Sequence, residues 1–227
     1  MRRTFVLIAA TVVLLAGCAK SPQQLSVRPV LDISGERWGQ GQPVLVTASD
    51  QRADKVLGRL GGVYGDSATI TIADDLEEAM VRAANGLLAS KGLVVNSPDP
   101  NAVQLTVVIE DIRWENATSD QQLGKQIDMT AVLRAEASRG GETFSGRYQT
   151  SSSYRSMTLP EKHHNETRLN DLLKQTLERM FNDQKLRDFL LSAAPATGGS
   201  FIGPASSEPG VGDPSTWGPT LGEPIMQ

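Results

Sequence analysis

A single cysteine, Cys18, stands in 227 residues, and only two histidines, His163 and His164, accompany it. That scarcity removes most thiol and metal chemistry at the outset. One cysteine cannot close an intramolecular disulfide, and structural zinc sites draw their ligands from sets of cysteine and histidine. The two histidines are sequence neighbours, which on a helix do not face the same way, so they read as a solvated N-terminal helical turn. Basic excess is missing too. With 22 Lys+Arg against 26 Asp+Glu the chain is net −4, whereas nucleic-acid binders carry basic patches that neutralise phosphates. The apolar stretch from Phe5 to Leu15 falls short of the roughly 20 residues that a spanning helix needs. Gly58-Arg59-Leu60-Gly61-Gly62 lacks the Gly-Lys-Ser/Thr ending of a phosphate loop. No Gly-x-Ser-x-Gly elbow occurs, although a Ser-His-Asp triad is a spatial arrangement that composition leaves open. Glu110 and Asp111 are expected to point to opposite faces of a strand, which denies them a shared catalytic role. No catalytic residue, metal or cofactor is assigned, and no small-molecule substrate is evident.

The N-terminus carries the strongest positive signal. Arg2 and Arg3 precede the apolar stretch, and the small residues Ala16 and Gly17 lead to Cys18, the layout of a secretory signal. Leu15-Ala16-Gly17-Cys18 resembles a bacterial lipobox. That resemblance implies cleavage between Gly17 and Cys18, diacylglycerol on the Cys18 sulfur, and further acylation by chains such as palmitate. A plain secretory signal is the alternative. Loss of residues 1–17 removes two arginines and no acids, leaving 20 basic against 26 acidic residues, net −6. Membrane attachment would then rest on the acyl chains, each buried CH₂ contributing about 0.8 kcal/mol. Ala19 resembles the outer-membrane sorting default, which is placed ahead. Lys20-Ser21 resembles an inner-membrane retention signal of some Gram-negative lineages, so both membranes stay open.

Behind the signal (1–17) and a lipidated tether (18–24), residues 25–193 read as one periplasmic domain and 194–227 as a disordered tail. Residues 25–42 are ambiguous: Leu25, Val27, Leu31 and Ile33 alternate as in a strand, but Pro29 restricts that strand to an edge or ends it. Val44–Ala48 and Ala68–Ile72 are short apolar strands, joined by a glycine-rich hairpin. Asp74 and Glu77 make a capping-box-like start for a helix with Leu76, Met80, Ala83, Ala84, Leu87 and Leu88 on its apolar face, ended by Lys91-Gly92. Val103–Ile109 and Ile127–Ala137 alternate with period two. Gly140-Gly141 turns the second of these into a Ser/Thr-rich strand reaching Ser153. Leu169 to Phe181 describe a second amphipathic helix, and Leu186 to Leu190 a shorter one after a break at Asn182-Asp183. This order predicts an α+β fold, a mostly antiparallel sheet covered on one face by two main helices. The tail has prolines at 204, 209, 214, 219 and 224 and no Lys or Arg; it cannot bury enough apolar area to offset ordering.

Several segments together resemble the YajG family of bacterial lipoproteins. They are the signal with Cys18, Val44-Leu45-Val46 followed by Asp50-Gln51-Arg52, Gly58, Leu76 to Leu88 with Lys91-Gly92-Leu93, Val103 to Ile109 with Trp114, and the helices from Leu172 to Leu190. The resemblance covers residues 1–192 and implies an envelope lipoprotein without known catalytic residues. Asp50 and Arg52 carry two readings. In one, Asp50 caps a turn and Arg52 packs its stem over a strand end. In the other, Arg52 is part of a partner-facing surface. Trp217 is a candidate partner contact in the tail. The expected function is non-enzymatic: membrane attachment through lipid on Cys18, with the domain docking another envelope protein. Two alternatives are a subunit of an oligomeric lipoprotein that pairs edge strands between protomers, and an envelope hydrolase. The hydrolase requires a concave pocket with convergent acids and perturbed pKa values.

Overall fold

In a computed structural model of the chain, residues 21–61, 68–73, 75–117 and 124–193 are described. Cys18, Gly17, Asp74, Trp217 and the whole of the expected tail lie outside them. In chain order the elements are β1 (Gln23–Leu25), β2 (Pro43–Asp50), β3 (Val56–Arg59), β4 (Thr69–Ile72), α1 (Leu76–Ser90), β5 (Val94–Val95), β6 (Val103–Asn116), β7 (Lys125–Arg139), β8 (Glu142–Ser156), α2 (Lys162–Asn182) and α3 (Gln184–Leu191). The α+β expectation holds. One sheet has the order β5-β2-β6-β7-β8 and a smaller one the order β1-β4-β3. The long pairings β6–β7 and β7–β8 are antiparallel, while β2 runs parallel to β5 and β6, and β1 parallel to β4.

The core follows from the period-two pattern. Ile127, Met129, Ala131, Leu133, Ala135 and Ala137 of β7 are all buried, in one cluster with Leu169, Leu172, Leu173, Leu177 and Met180 of α2. Their spacing at three and four residues makes one helical stripe. At the other end of the sheet, α1 packs on β2 and β5. Its terminus behaves as expected: Gly92 at φ +96° donates to Ala89 O (3.0 Å) and Leu93 to Leu88 O (3.1 Å), the bond pair of a Schellman cap. Its start is one residue later than expected, because Asp75 is the N-cap and accepts from Glu78 N at 3.1 Å.

Of the two outcomes left open for Leu25 to Ile33, the strand stops, already at Leu25, because α2 side chains take over its backbone. Ser26 N donates to Glu166 Oε1 (3.0 Å), Arg28 N to Asn170 Oδ1 (2.5 Å) and Asp32 N to Glu178 Oε1 (3.2 Å). The alternation survives as burial of Leu25, Val27 and Leu31, without a neighbouring strand. Gln23 and Gln24, expected in the tether, belong to β1.

Candidate functional site

Where β2 ends, Arg52 folds back onto Asp50. Its Nε donates to Asp50 Oδ1 and its Nη2 to Asp50 Oδ2, each at 2.9 Å, and its own N–H donates to Oδ1 at 3.2 Å. Lys55 adds a pair to Oδ2 at 2.8 Å. Glu77 in the first turn of α1 accepts from Asp50 N at 2.7 Å, tying the strand end to the helix. The Arg52 side chain is 4% exposed. This is the geometry of the structural reading; a partner-facing Arg52 has almost no surface with which to act.

Burial pushes the Asp50 carboxyl up, but hydrogen bonds from Arg52 and Lys55 outweigh it and hold it well below the ordinary carboxylate range. A carboxyl lowered by folding stabilises the fold above its unfolded value, near 3.9, and that contribution fades as pH falls toward the folded value. Arg52→Met is therefore expected to cost about 2–3 kcal/mol at neutral pH, with a penalty that shrinks as pH drops below about 4. Thermal melts of the two proteins between neutral pH and strong acid measure this. A penalty independent of pH would mean that packing of the arginine stem, not the ion pair, holds the junction.

The outer face of the sheet carries a second polar cluster. Glu110 Oε1 accepts from Arg134 Nε (2.7 Å) and Oε2 from Arg147 Nε (2.6 Å), a brace across β6, β7 and β8. Hydrogen bonds from Arg147 and then Arg134 hold the Glu110 carboxyl below its usual range. The expectation that Glu110 and Asp111 face opposite ways fails, because the β6–β7 register shifts between Ile109 and Asp111. Such a bulge places two residues where the partner strand has one. Beyond it Ile112 and Trp114 are buried, which leaves Asp111 on the outer side with Glu110. The two acids share a face yet not a function, since Asp111 is paired with Arg113 at 2.6 Å.

A groove of about 900 Å³ runs between β3 and the far half of β6, with Asp54, Glu110, Asp111 and Glu115 among its lining residues. That is the concavity a hydrolase would need. Of these acids Glu110 is occupied by Arg134 and Arg147 and held below its usual range, the opposite of the raised carboxyl of a general acid. His163 and His164 are exposed in the first turn of α2. Among the described residues no three His, Cys, Asp or Glu side chains gather as a metal site.

The long edge of the sheet is β8. Gly140 (φ +57°) and Gly141 (φ +90°) form a two-residue turn closing on the pair Arg139–Glu142, as the primed hairpin turns require. A two-residue turn makes that pair hydrogen-bonded. Even-numbered residues of β8 therefore turn their N–H and C=O to β7, and odd-numbered residues turn theirs outward. The Gln149 carbonyl confirms the parity, since it accepts from Arg179 Nη1 of α2 at 3.1 Å. Even-numbered side chains meet the helices: Phe144 lies 6.1 Å from Phe189 between ring centres, and Tyr148 OH donates to Asp183 Oδ2 at 2.7 Å. Odd-numbered side chains from Thr143 to Arg155 are exposed. The opposite edge, β5, has two residues, so β8 with 15 is the long one.

Sequence reasoning missed the buried node at Asn165. Its Oδ1 accepts from Trp114 Nε1 (3.1 Å) and Tyr154 OH (3.3 Å), and its Nδ2 donates to Gln23 Oε1 (2.7 Å). The available signal was a polar residue on the apolar stripe of α2, four residues before Leu169.

Compared with known proteins, a family model described as an uncharacterized lipoprotein matches residues 29–191. No curated protein sequence matches the chain. Among solved structures, it is similar to rare lipoprotein B from Shewanella oneidensis over 64% of this chain and 96% of that one, at 10% identity and TM-score 0.41. The minor lipoprotein from Acinetobacter baumannii is similar over 65% and 93%, at 12% identity and TM-score 0.40. At TM-scores below 0.5 neither likeness carries an argument about this chain.

Proposed function

The chain belongs to that family of uncharacterized lipoproteins, and on this premise we propose that it is a non-enzymatic, lipid-anchored envelope protein that docks another envelope protein along β8. The anchor is the lipid on Cys18, the domain faces the periplasm, and the membrane is the outer one by Ala19, with Lys20-Ser21 the argument for the inner. The resemblance to the YajG lipoproteins supports the same reading. One observation carries the docking: β8 is a 15-residue edge strand without proline or lysine, the residues that commonly blunt such edges. An extended segment can add to it through main-chain bonds at the odd positions, and exposed side chains beside them supply selectivity. Arg179 closes the edge at Gln149, which leaves Ser151–Arg155 and Thr143–Arg147 as the two open stretches among the described residues. The acids that share the outer face are occupied by arginines, which favours a binding role over a catalytic one.

A photo-reactive residue placed at Ser151 or Ser153 of the full chain in cells tests this. Both positions are expected to yield one reproducible protein adduct, and exposed Arg82 on α1 none. Ser151→Pro removes an outward N–H and leaves the β7 ladder intact. It is expected to abolish the adduct formed from Ser153 and leave the melting temperature nearly unchanged. No adduct along β8 would overturn the docking; an adduct between two copies would assign the edge to self-association.

A further inference from the structure

The end of the domain that the anchor holds against the membrane can be read from the fold. Gln23 is fixed to the body: its Nε2 donates to Pro160 O at 3.1 Å and its Oε1 accepts from Asn165 Nδ2 at 2.7 Å. Cys18 lies five residues earlier, a span of at most about 18 Å even when fully extended. Pro160 belongs to the connection between β8 and α2, so that connection is tethered as closely as Gln23 itself. In it stands Met157, 82% exposed, the most exposed of the large apolar side chains among the described residues. Nothing in the core needs it there; the neighbouring Leu159, by contrast, packs against the core. From this end β7 and β8 run away together to the Gly140-Gly141 turn, over about 50 Å for 15 residues.

We infer that the β8–α2 connection is the membrane-facing end of the domain and that Met157 enters the lipid surface. The inference rests on lipidation of Cys18 as proposed above. A flexible unbranched apolar side chain adapts to an irregular surface, and it gains by leaving water wherever the tether already holds it near acyl chains. The β8 edge then stands upright from the membrane, with Ser151–Arg155 low and Thr143–Arg147 high, and the hairpin turn is the far tip. Val30 (79% exposed) and Ile33 (63%) compete with Met157 for lipid. They sit further along α2, beyond the level of Asn170, and would meet the membrane only if the domain lay on its flank.

The composition makes the test clean, because once Cys18 carries lipid, an introduced cysteine is the one free thiol. Lipidated full chains bearing Met157→Cys, Val30→Cys or Glu142→Cys are labelled with an environment-sensitive fluorophore. Each is placed on vesicles of phosphatidylethanolamine and phosphatidylglycerol containing a quencher near the headgroups. The expected result is a blue shift and loss of most emission at 157, with 142 unaffected and 30 little changed. Flotation with the vesicles while 157 behaves like 142 would overturn this inference and leave the anchor standing. Quenching at 30 in place of 157 would overturn it in favour of the flank. Failure to float at all would overturn the anchor and this inference together.

Discussion

Gly58→Ala is expected to destabilise the domain by about 3 kcal/mol, a fall in melting temperature of about 10 °C for a domain of this size. Exchange of glycine for alanine ordinarily stabilises by about 0.4–1 kcal/mol, since it narrows the unfolded ensemble where the native backbone tolerates a side chain. At Gly58 the sign reverses on steric grounds alone. A Cβ there would lie 2.0 Å from the Trp114 carbonyl oxygen and 2.9 Å from the indole ring. The obstacle is β6 backbone, so no rotamer change relieves it. Trp114 is itself 1% exposed and its indole is held by Asn165, so the strand cannot slide aside without breaking that bond. The matched control is Gly86→Ala in α1, where an added Cβ meets nothing within 4 Å; it is expected to gain about 0.5–1 kcal/mol. Urea melts of the two variants against the parent measure both. If Gly58→Ala melted like Gly86→Ala, the close passage of β3 over β6 would be wrong.

That close passage shows where sequence reasoning reaches and where it stops. The period-two runs at Val103–Ile109 and Ile127–Ala137 and the stripe from Leu169 to Phe181 were legible because burial on one face repeats at the period of the element. The turn at Gly140-Gly141 was legible because two positive φ angles need glycine. Pairing partners were not. Nothing in Val44–Ala48 says that its neighbours would be β5 and β6 in parallel, since a short apolar run suits either direction. The bulge at Glu110 escaped for a related reason. It adds one residue without a composition cue, and every parity argument beyond it then inverts, as happened for Asp111. At the candidate site, Arg52 was recognised as significant in the Asp50-Gln51-Arg52 step. Whether its guanidinium turns inward depended on Asp50 being held by Glu77 from α1, a contact 27 residues away. The exposed parity of β8 was readable; its position at the edge was not, because an edge is defined by the absence of a further strand.

Asn165→Leu is the second large effect expected, about 3–4 kcal/mol from several lost partners at about 1–3 kcal/mol each. Leucine has the same number of side-chain heavy atoms, branched at the same place, and removes both the acceptor and the donor of asparagine. The Trp114 N–H, fully enclosed, is then buried without a partner, which costs more than never having had one, and the half-buried Gln23 and Tyr154 side chains lose theirs. Asn165 is 0% exposed, so water cannot replace it at the surface. The effect reaches beyond stability because this one side chain binds β1, β6, β8 and α2 together where the described chain begins. Release of Gln23 lets β1 fray from Pro160, and each freed residue adds about 3.5 Å to the tether. A temperature at which Asn165→Leu is still folded should therefore show β1 amides exchanging faster than those of β7. It should also show weaker quenching at position 157 on the vesicles, as the domain drifts from the lipid. Gln23→Ala, which cuts the tie but leaves Trp114 bonded to Asn165, is expected to reproduce the loosening at a cost of about 1 kcal/mol. Equal quenching at 157 in parent and both variants would mean that something other than the Gln23 tie holds this end to the membrane.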